Sequence, residues 1–335
     1  MLGNDLVDRR TVTMVMQKEQ DTTVMPEQDN CILCGKSTIK NEAGLFDTRY
    51  GIDELYHAVY CPSCDLVQTA PLPTSAELKE YYEKYYNFGG ERLTLYTRLR
   101  HLFLFSFLYR LWLAVDGDIS FHRKKGTGLL LDLGCNEGRG LLFYQRNGFQ
   151  VEGLELNATA AQAARSRGFI VYGQPLQQLE KENAYDVVVL SNVLEHSFDP
   201  SEMLRHVHRV LKPGGQAWIS CPNSESWLRS VFGRHWINWH VPFHLVHFTQ
   251  RSLRKLLETT GFSALEVLQE TPAVWATHST LVRLFGRKGR PTRQLRNPLL
   301  IIVFMLVWRF LLFPFLWLGN RLGRGDCLVV TARKR

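Results

Sequence analysis

The first 30 residues of this 335-residue chain lack an apolar core, so they do not read as a secretory signal. Residues 1–29 also lack a sustained hydrophobic period and are expected to form a flexible leader. Acidic residues are missing from 283–296, where six Arg or Lys stand, part of a net charge of +8. A disulfide framework is not indicated. Of seven cysteines, four form two C-x-x-C pairs, which suits metal binding in a reducing cytosol. The corner LDLGCNEGRG (131–140) lacks two glycines of the dinucleotide fingerprint G-x-G-x-x-G. Counting from Gly134, those places hold Asn136 and Arg139. Little else is excluded, because 45% hydrophobic and 21% charged residues is an ordinary globular balance. The length suffices for one main domain plus an appendage.

That same corner is the most informative stretch. It reads as a buried strand (129–133), a tight turn and the start of a helix. Gly134 and Gly138 carry no side chain, so the backbone can approach a ligand closely. Asn136 tolerates a left-handed backbone better than most residues. The helix start offers unpaired N–H groups and a positive dipole end to an anion. The stretch Asp132, Gly134, Cys135, Asn136, Glu137 and Gly138 is therefore a candidate nucleotide cradle.

Downstream, strands and helices alternate, which predicts a mostly parallel α/β sheet. FQVEGLEL (149–156) ends in Glu155 and Leu156. Glu155 lies 23 residues after Asp132, where a strand-end carboxylate can accept hydrogen bonds from ribose hydroxyls. YDVVVLSNVLEH (185–196) has the valine run of a strand buried on both faces. Ser191 and Asn192 fall at its C-terminal end, the ligand rim of open parallel sheets. Asp199 and Pro200 then read as a helix cap and a first helical turn.

Cys31, Cys34, Cys61 and Cys64 form two C-x-x-C pairs separated by 26 residues. This spacing predicts a closed tetrahedral zinc site, structural in role, with an iron–sulfur centre as the minor alternative. The helix that follows carries Tyr81, Tyr82, Tyr85 and Tyr86, read as a core-packing stripe, the alternative being an aromatic lid. Residues 98–115 are apolar but short and charged for a membrane span, and are read as a helix packed on the core, the alternative being a membrane-facing helix.

Residues 224–248 combine aromatics with His235, His240, His244 and His247. They are read as an insertion over the sheet rim that helps exclude water, the alternative being a packed loop whose histidines are hydrogen-bonded scaffold. His196, His244 and His247 are the candidates for proton removal, since histidine titrates near neutral pH. The apolar run 298–319 is long enough to cross a bilayer. Arg309 in its middle, Pro314 and the strand-like GDCLVVTARKR (325–335) argue against a simple crossing. If that strand joins the sheet, both ends of the run lie on one side, and an in-plane or shallow hairpin contact fits better, the alternative being a helical insertion buried against the 98–115 helix with no lipid involved.

The pattern D-x-G-x-N-x-G resembles the first motif of class I S-adenosylmethionine-dependent methyltransferases, D/E-x-G-x-G-x-G, with Asn136 in place of the middle glycine. Glu155 matches the second acidic position. LEH-x-x-DP, RVLKPGG and HLVHFTQRSLRKLLETTGF (244–262) resemble the later parts of the same family, so the likeness covers roughly 128–270. The cysteine pairs with the tyrosine helix resemble the N-terminal segment of bacterial sugar C-methyltransferases and related small-molecule enzymes.

The resemblance implies a Rossmann-like, mostly parallel seven-stranded sheet flanked by helices. The cysteine spacing adds a small N-terminal zinc ribbon before it, and the apolar run adds a helical insertion before the last strand. It implies S-adenosylmethionine held by Asp132 and the Gly134–Gly138 turn at its methionine end and by Glu155 at its ribose. Gln174 and Leu176 would border the adenine. The expected division is leader 1–29, zinc module 30–72, helical linker or lid 73–127, core 128–272 with 325–335, and insertion 273–324. The expected acceptor is a saccharide, another small molecule or a lipid-linked compound, in the cytoplasm or on the inner membrane face. An RNA methyltransferase and a non-catalytic binding protein are the rivals. The basic residues sit beside an apolar run, which suits lipid better than a phosphate track, so nucleic acid is not expected.

Overall fold

The computed structural model describes residues 30–85 and 106–335. The expected leader, Tyr86 and the first part of the 98–115 helix lie outside the described residues.

Four short strands build an antiparallel N-terminal sheet: β1 (Ile39–Phe46), β2 (Leu55–Tyr60), β3 (Val67–Ala70) and, far downstream, a two-residue strand Val246–His247. Seven strands form the main sheet. They are β4 (Leu129–Leu133), β5 (Gln150–Leu154), β6 (Ile170–Tyr172), β7 (Tyr185–Ser191), β8 (Leu211–Pro222), β10 (Phe262–Glu270) and β11 (Cys327–Lys334), the strand Val246–His247 being β9. Their order is β10-β11-β8-β7-β4-β5-β6. β6 through β8 pair in parallel, and β11 runs antiparallel to both of its neighbours. The sheet is therefore mixed, with the mostly parallel character that the alternating pattern predicts.

The chain leaves β4 toward β5 on one side and later returns to place β7 on the other. This reversal opens a crevice beyond the C-terminal ends of β4 and β7, where open α/β sheets bind ligands. Leu130, Leu131, Val188, Val189 and Leu190 are fully buried, as strands covered on both faces require. The helix Pro200–Val210 starts as its sequence reads: the Asp199 carboxylate accepts the Glu202 N–H, and Pro200 occupies the first turn.

The N-terminal sheet is not a separate body. β3 pairs with β9 through Val67 opposite His247 and Gln68 opposite Val246. Cys31, Cys61, Cys64 and Leu66 share one apolar cluster with Leu131, Phe248, Leu253 and Leu256 of the main domain. Each large side chain so buried contributes about 1.5–3 kcal/mol, so removing either part exposes the core of the other.

The aromatic segment 224–248 is a packed wall. Trp236, Trp239 and Phe243 are almost wholly buried. Against it pack the helix Ala273–Phe285 and the apolar tail. The tail is two arms, Pro298–Leu311 and Phe313–Arg321, bent by 67°. The break falls beside Pro314 and follows a π-helical turn at Val307–Leu311. No single helix among the described residues is long and apolar enough to cross a membrane. Arg309 turns inward, 3.6 Å from the Glu270 carboxylate, which explains a cation in the middle of the apolar run.

Candidate cofactor corner, histidine chamber and four-cysteine cluster

At the crevice, Gly134, Asn136 and Gly138 all adopt left-handed backbone, with φ of 69°, 51° and 76°. A Cβ at Gly138 would come within 3.0 Å of Ala164, and one at Gly134 within 3.1 Å of Val193. Asn136 takes the conformation that the glycine-rich pattern demands. Its side-chain oxygen accepts the Glu137 N–H at 2.8 Å, which offsets part of the left-handed cost of about 1–2 kcal/mol.

Glu155 follows β5 and reaches back to this turn. One carboxylate oxygen accepts the Asn136 N–H at 2.9 Å, and the other accepts the Asn157 N–H at 2.8 Å. Asp132 lies on β4, 6% exposed. Burial and the nearby negative charge of Glu155 push its carboxyl up to about 8. Two acids thus face one corner, and burial favours the neutral form of Asp132.

The other residues read from the sequence divide by where they point. Leu156 is 63% exposed and offers an apolar surface beside Glu155. Asn192 sits in left-handed backbone at the end of β7. Its N–H donates to the Ser220 carbonyl, while its side-chain oxygen is buried with no hydrogen-bond partner. Ser191 lies 3.3 Å from the Ser220 hydroxyl. Gln174 is half-buried at the end of β6. Three residues face elsewhere. The Cys135 thiol packs inward against Gly153, so only its backbone serves the turn. The Glu137 carboxylate pairs with Arg139 at 2.9 Å and Arg167 at 3.9 Å. Leu176 is buried in the core, and its carbonyl accepts from Arg209.

Beyond β7 lies a chamber of histidines. His196 and His244 have ring centres 4.7 Å apart, and His240 and His244 4.8 Å. His196 Nδ1 lies 2.9 Å from the Phe243 carbonyl, which can only accept, so that nitrogen carries the proton and Nε2 is the basic one. The same reasoning applies to His244, whose Nδ1 lies 2.8 Å from the Asn238 carbonyl. The Thr69 hydroxyl donates to the His244 carbonyl at 2.7 Å. It therefore accepts from His247 Nε2 at 3.1 Å. His247 is thus turned toward β3, its Nδ1 buried without a partner, and it does not share the rim with His196. Burial keeps all three rings neutral: His196 is lowered to about 4, His247 to about 3, and His244 is well below its ordinary value.

Glu195 was not singled out by sequence reasoning. It is 1% exposed, both carboxyl oxygens lack a hydrogen-bond partner, and burial pushes it up to about 8. One oxygen lies 4.0 Å from His244 Nε2. Donor atoms of Glu195, His196 and His244 fall within 4.8 Å of one another, too far apart for a direct hydrogen bond but close enough to surround one ion. The one signal was its place directly before His196, in the short 3-10 turn Leu194–His196 that follows β7. Tyr82 belongs here too. It packs on Phe243 with ring centres 5.3 Å apart, and its hydroxyl lies 2.9 Å from His196 Nδ1. The tyrosine helix is both core and edge of the site.

The four cysteine sulfurs lie within 4.8 Å of one another, with separations of 3.4 Å for Cys31–Cys64, 3.5 Å for Cys34–Cys61 and 3.8 Å for Cys34–Cys64. Sulfurs at about 2.3 Å from a tetrahedral ion stand about 3.8 Å apart, so the donor set fits such an ion. The two turns repeat one another. Gly35 N–H donates to the Cys31 carbonyl and Asp65 N–H to the Cys61 carbonyl, with both residues at positive φ. The second turn is tied to the helix Gln250–Thr259 by Asp65 with Arg251 at 2.8 Å and by the Ser63 carbonyl with Lys255 at 3.2 Å.

A family profile described as a methyltransferase domain matches residues 96–267. The ubiquinone biosynthesis O-methyltransferase of Erwinia tasmaniensis is 33% identical over 141 residues, which are 39% of this chain and 56% of that protein. The protein of the same name from Sodalis glossinidius is 32% identical over 123 residues, 34% of this chain and 49% of its own length. The chain spans about half the length of these curated relatives. Among solved structures, a methyltransferase of Thermotoga maritima, described as a possible histamine N-methyltransferase, is 17% identical. It covers 77% of this chain and 100% of its own, with a TM-score of 0.46.

Proposed function

Since the chain belongs to this family of methyltransferase domains, we propose that it transfers a methyl group from S-adenosylmethionine to a small-molecule or lipid-linked acceptor. The observation that carries the reading is the corner itself: a left-handed Gly134–Asn136–Gly138 turn with Glu155 locked to its N–H and Asp132 buried beside it. When bound, S-adenosylmethionine supplies an electrophilic methyl carbon on a cationic sulfur. Asp132 and the turn hold its methionine end, the ammonium giving Asp132 the positive charge it needs to ionise. Glu155 accepts from the ribose hydroxyls, and Leu156 and Gln174 border the adenine. The chain contributes positioning and exclusion of water, together with one base at the acceptor rim.

The acceptor meets the methyl group at the rim marked by Asn192 and His196. Asn192 offers its unpaired oxygen to an acceptor donor group. His196 is only partly buried, with Nε2 basic, and it takes the acceptor's proton. Its low basicity makes it a base for the transition state, in which the nucleophile has become acidic, rather than for the resting acceptor. The four cysteines hold a structural zinc ion that fixes the N-terminal sheet against the core.

The test is transfer of labelled methyl from S-adenosylmethionine to cell extract, with polar and lipid fractions kept apart and Glu155→Ala as control. Label in one fraction that depends on Glu155 supports the reading and names the acceptor class. Donor binding without transfer to any fraction favours a binding protein that kept the fold.

A further inference from the structure

We propose that the bent apolar tail seats this protein on an anionic lipid surface, lying in the plane of the headgroups rather than crossing the bilayer. The tail lies outside the matched residues 96–267 and has two unlike faces. The inner face is committed to the protein. Met305, Trp308 and Leu316 are buried in a cluster with Trp236 and Trp239. Trp308 donates to the Thr280 hydroxyl at 2.9 Å, and Arg309 meets Glu270. The outer face is apolar and open: Leu299 is 74% exposed, Phe310 66% and Leu311 74%, with Val303, Trp317 and Leu322 each about half exposed. Contiguous apolar surface of this kind marks an interaction site.

Three observations select lipid as the occupant. First, a bilayer core needs a straight apolar helix of about 20 residues, and here the run is bent by 67° into shorter arms. Second, the chain enters the tail from the helix Ala273–Phe285, which is packed on the domain, and leaves it into β11 within the main sheet. Both ends stay on one side. Third, the sequence has no acid between Glu270 and Asp326. Exposed Arg287, Arg290, Arg293 and Arg296 precede the apolar arms and exposed Arg321 follows them, while Lys288 and Arg324 pair with Asp53 and Glu225. The Arg321 guanidinium lies 5.5 Å from the centre of the Trp317 ring, an amphipathic pair suited to the headgroup level. Cations bordering an open apolar face match anionic headgroups and repel a second copy carrying the same charges.

Flotation of the full chain with vesicles tests this, comparing phosphatidylcholine alone with phosphatidylcholine containing about one-third phosphatidylglycerol. The expected result is flotation with the anionic vesicles, weakened by salt, and loss of most of it in Val303→Asp/Phe310→Asp. That variant should keep its affinity for S-adenosylmethionine, which shows that it is folded. A wild type left at the bottom of the gradient overturns the proposal, as does a double variant that floats equally well. So does a wild-type dimer by light scattering that the double variant dissolves, because a second copy would then cover the face. Flotation does not depend on donor binding, so its failure and the failure of the methyltransferase reading are separate outcomes.

Discussion

Glu155 accepts the N–H of Asn136 at 2.9 Å, so the acid expected to hold the ribose also braces the one residue that departs from the glycine pattern. Asn136 stands at φ 51°, where asparagine is tolerated and a β-branched residue is not. Asn136→Gly should therefore leave donor affinity within a few-fold of wild type. Asn136→Val should cost about 1–2 kcal/mol or more, seen as a lower melting temperature and weaker binding of S-adenosylmethionine. Equal behaviour of the two variants would show that the backbone of the turn does not matter.

The raised Asp132 carboxyl sets a pH dependence. It titrates near 8 in the free protein and near 3.9 in an unfolded chain. Between those values the folded state binds the extra proton, so free-protein stability is greatest at the acid side and falls as pH rises through 8. Glu195, also pushed up to about 8, acts in the same direction. Donor affinity runs the opposite way. A bound ammonium requires ionised Asp132, so binding releases a proton and tightens from pH 6.5 to pH 8.5, by at most about tenfold per unit. Titration calorimetry in two buffers of different ionisation heat measures the proton, and Asp132→Asn should abolish it.

His196 and His247 should separate by function. His196→Ala removes the proposed base and should lower turnover by about 10²–10⁴ with little change in donor affinity. His247→Ala removes a buried partner of Thr69 and should cost about 1–3 kcal/mol of stability while turnover per folded molecule persists. Melting curves and rates on both variants check the split.

Cys61→Ser should lower the metal content of the purified protein and its melting temperature together, because Cys61 is buried in the cluster that joins the N-terminal sheet to the main domain. Elemental analysis and thermal melts report both. Full stability of a metal-free variant would argue against a structural ion.

Local pattern was legible where function and structure need the same residues. The alternation after Leu129 announced the sheet, the GDCLVVTARKR stretch announced β11, and the four cysteines announced their cluster. Contacts far apart in sequence were not legible. Nothing near Val67 signals that it pairs with His247, and it is this pairing that turns His247 away from the rim. Arg309 argued against a membrane crossing, but its partner Glu270 could be found only in three dimensions. Glu195 falls inside the stretch 185–196 read as one strand, and only the fold ends that strand at Ser191 and buries both of its oxygens.

The corner at Asp132, Asn136 and Glu155 is the proposed donor site, and calorimetric titration of the intact, metal-loaded chain with S-adenosylmethionine tests it most directly. The predicted result is one site, weakened in Glu155→Ala by about 10–100-fold, the worth of hydrogen bonds to a charged group. A folded protein that gives no heat, or a Glu155→Ala variant that binds as tightly as wild type, would contradict it.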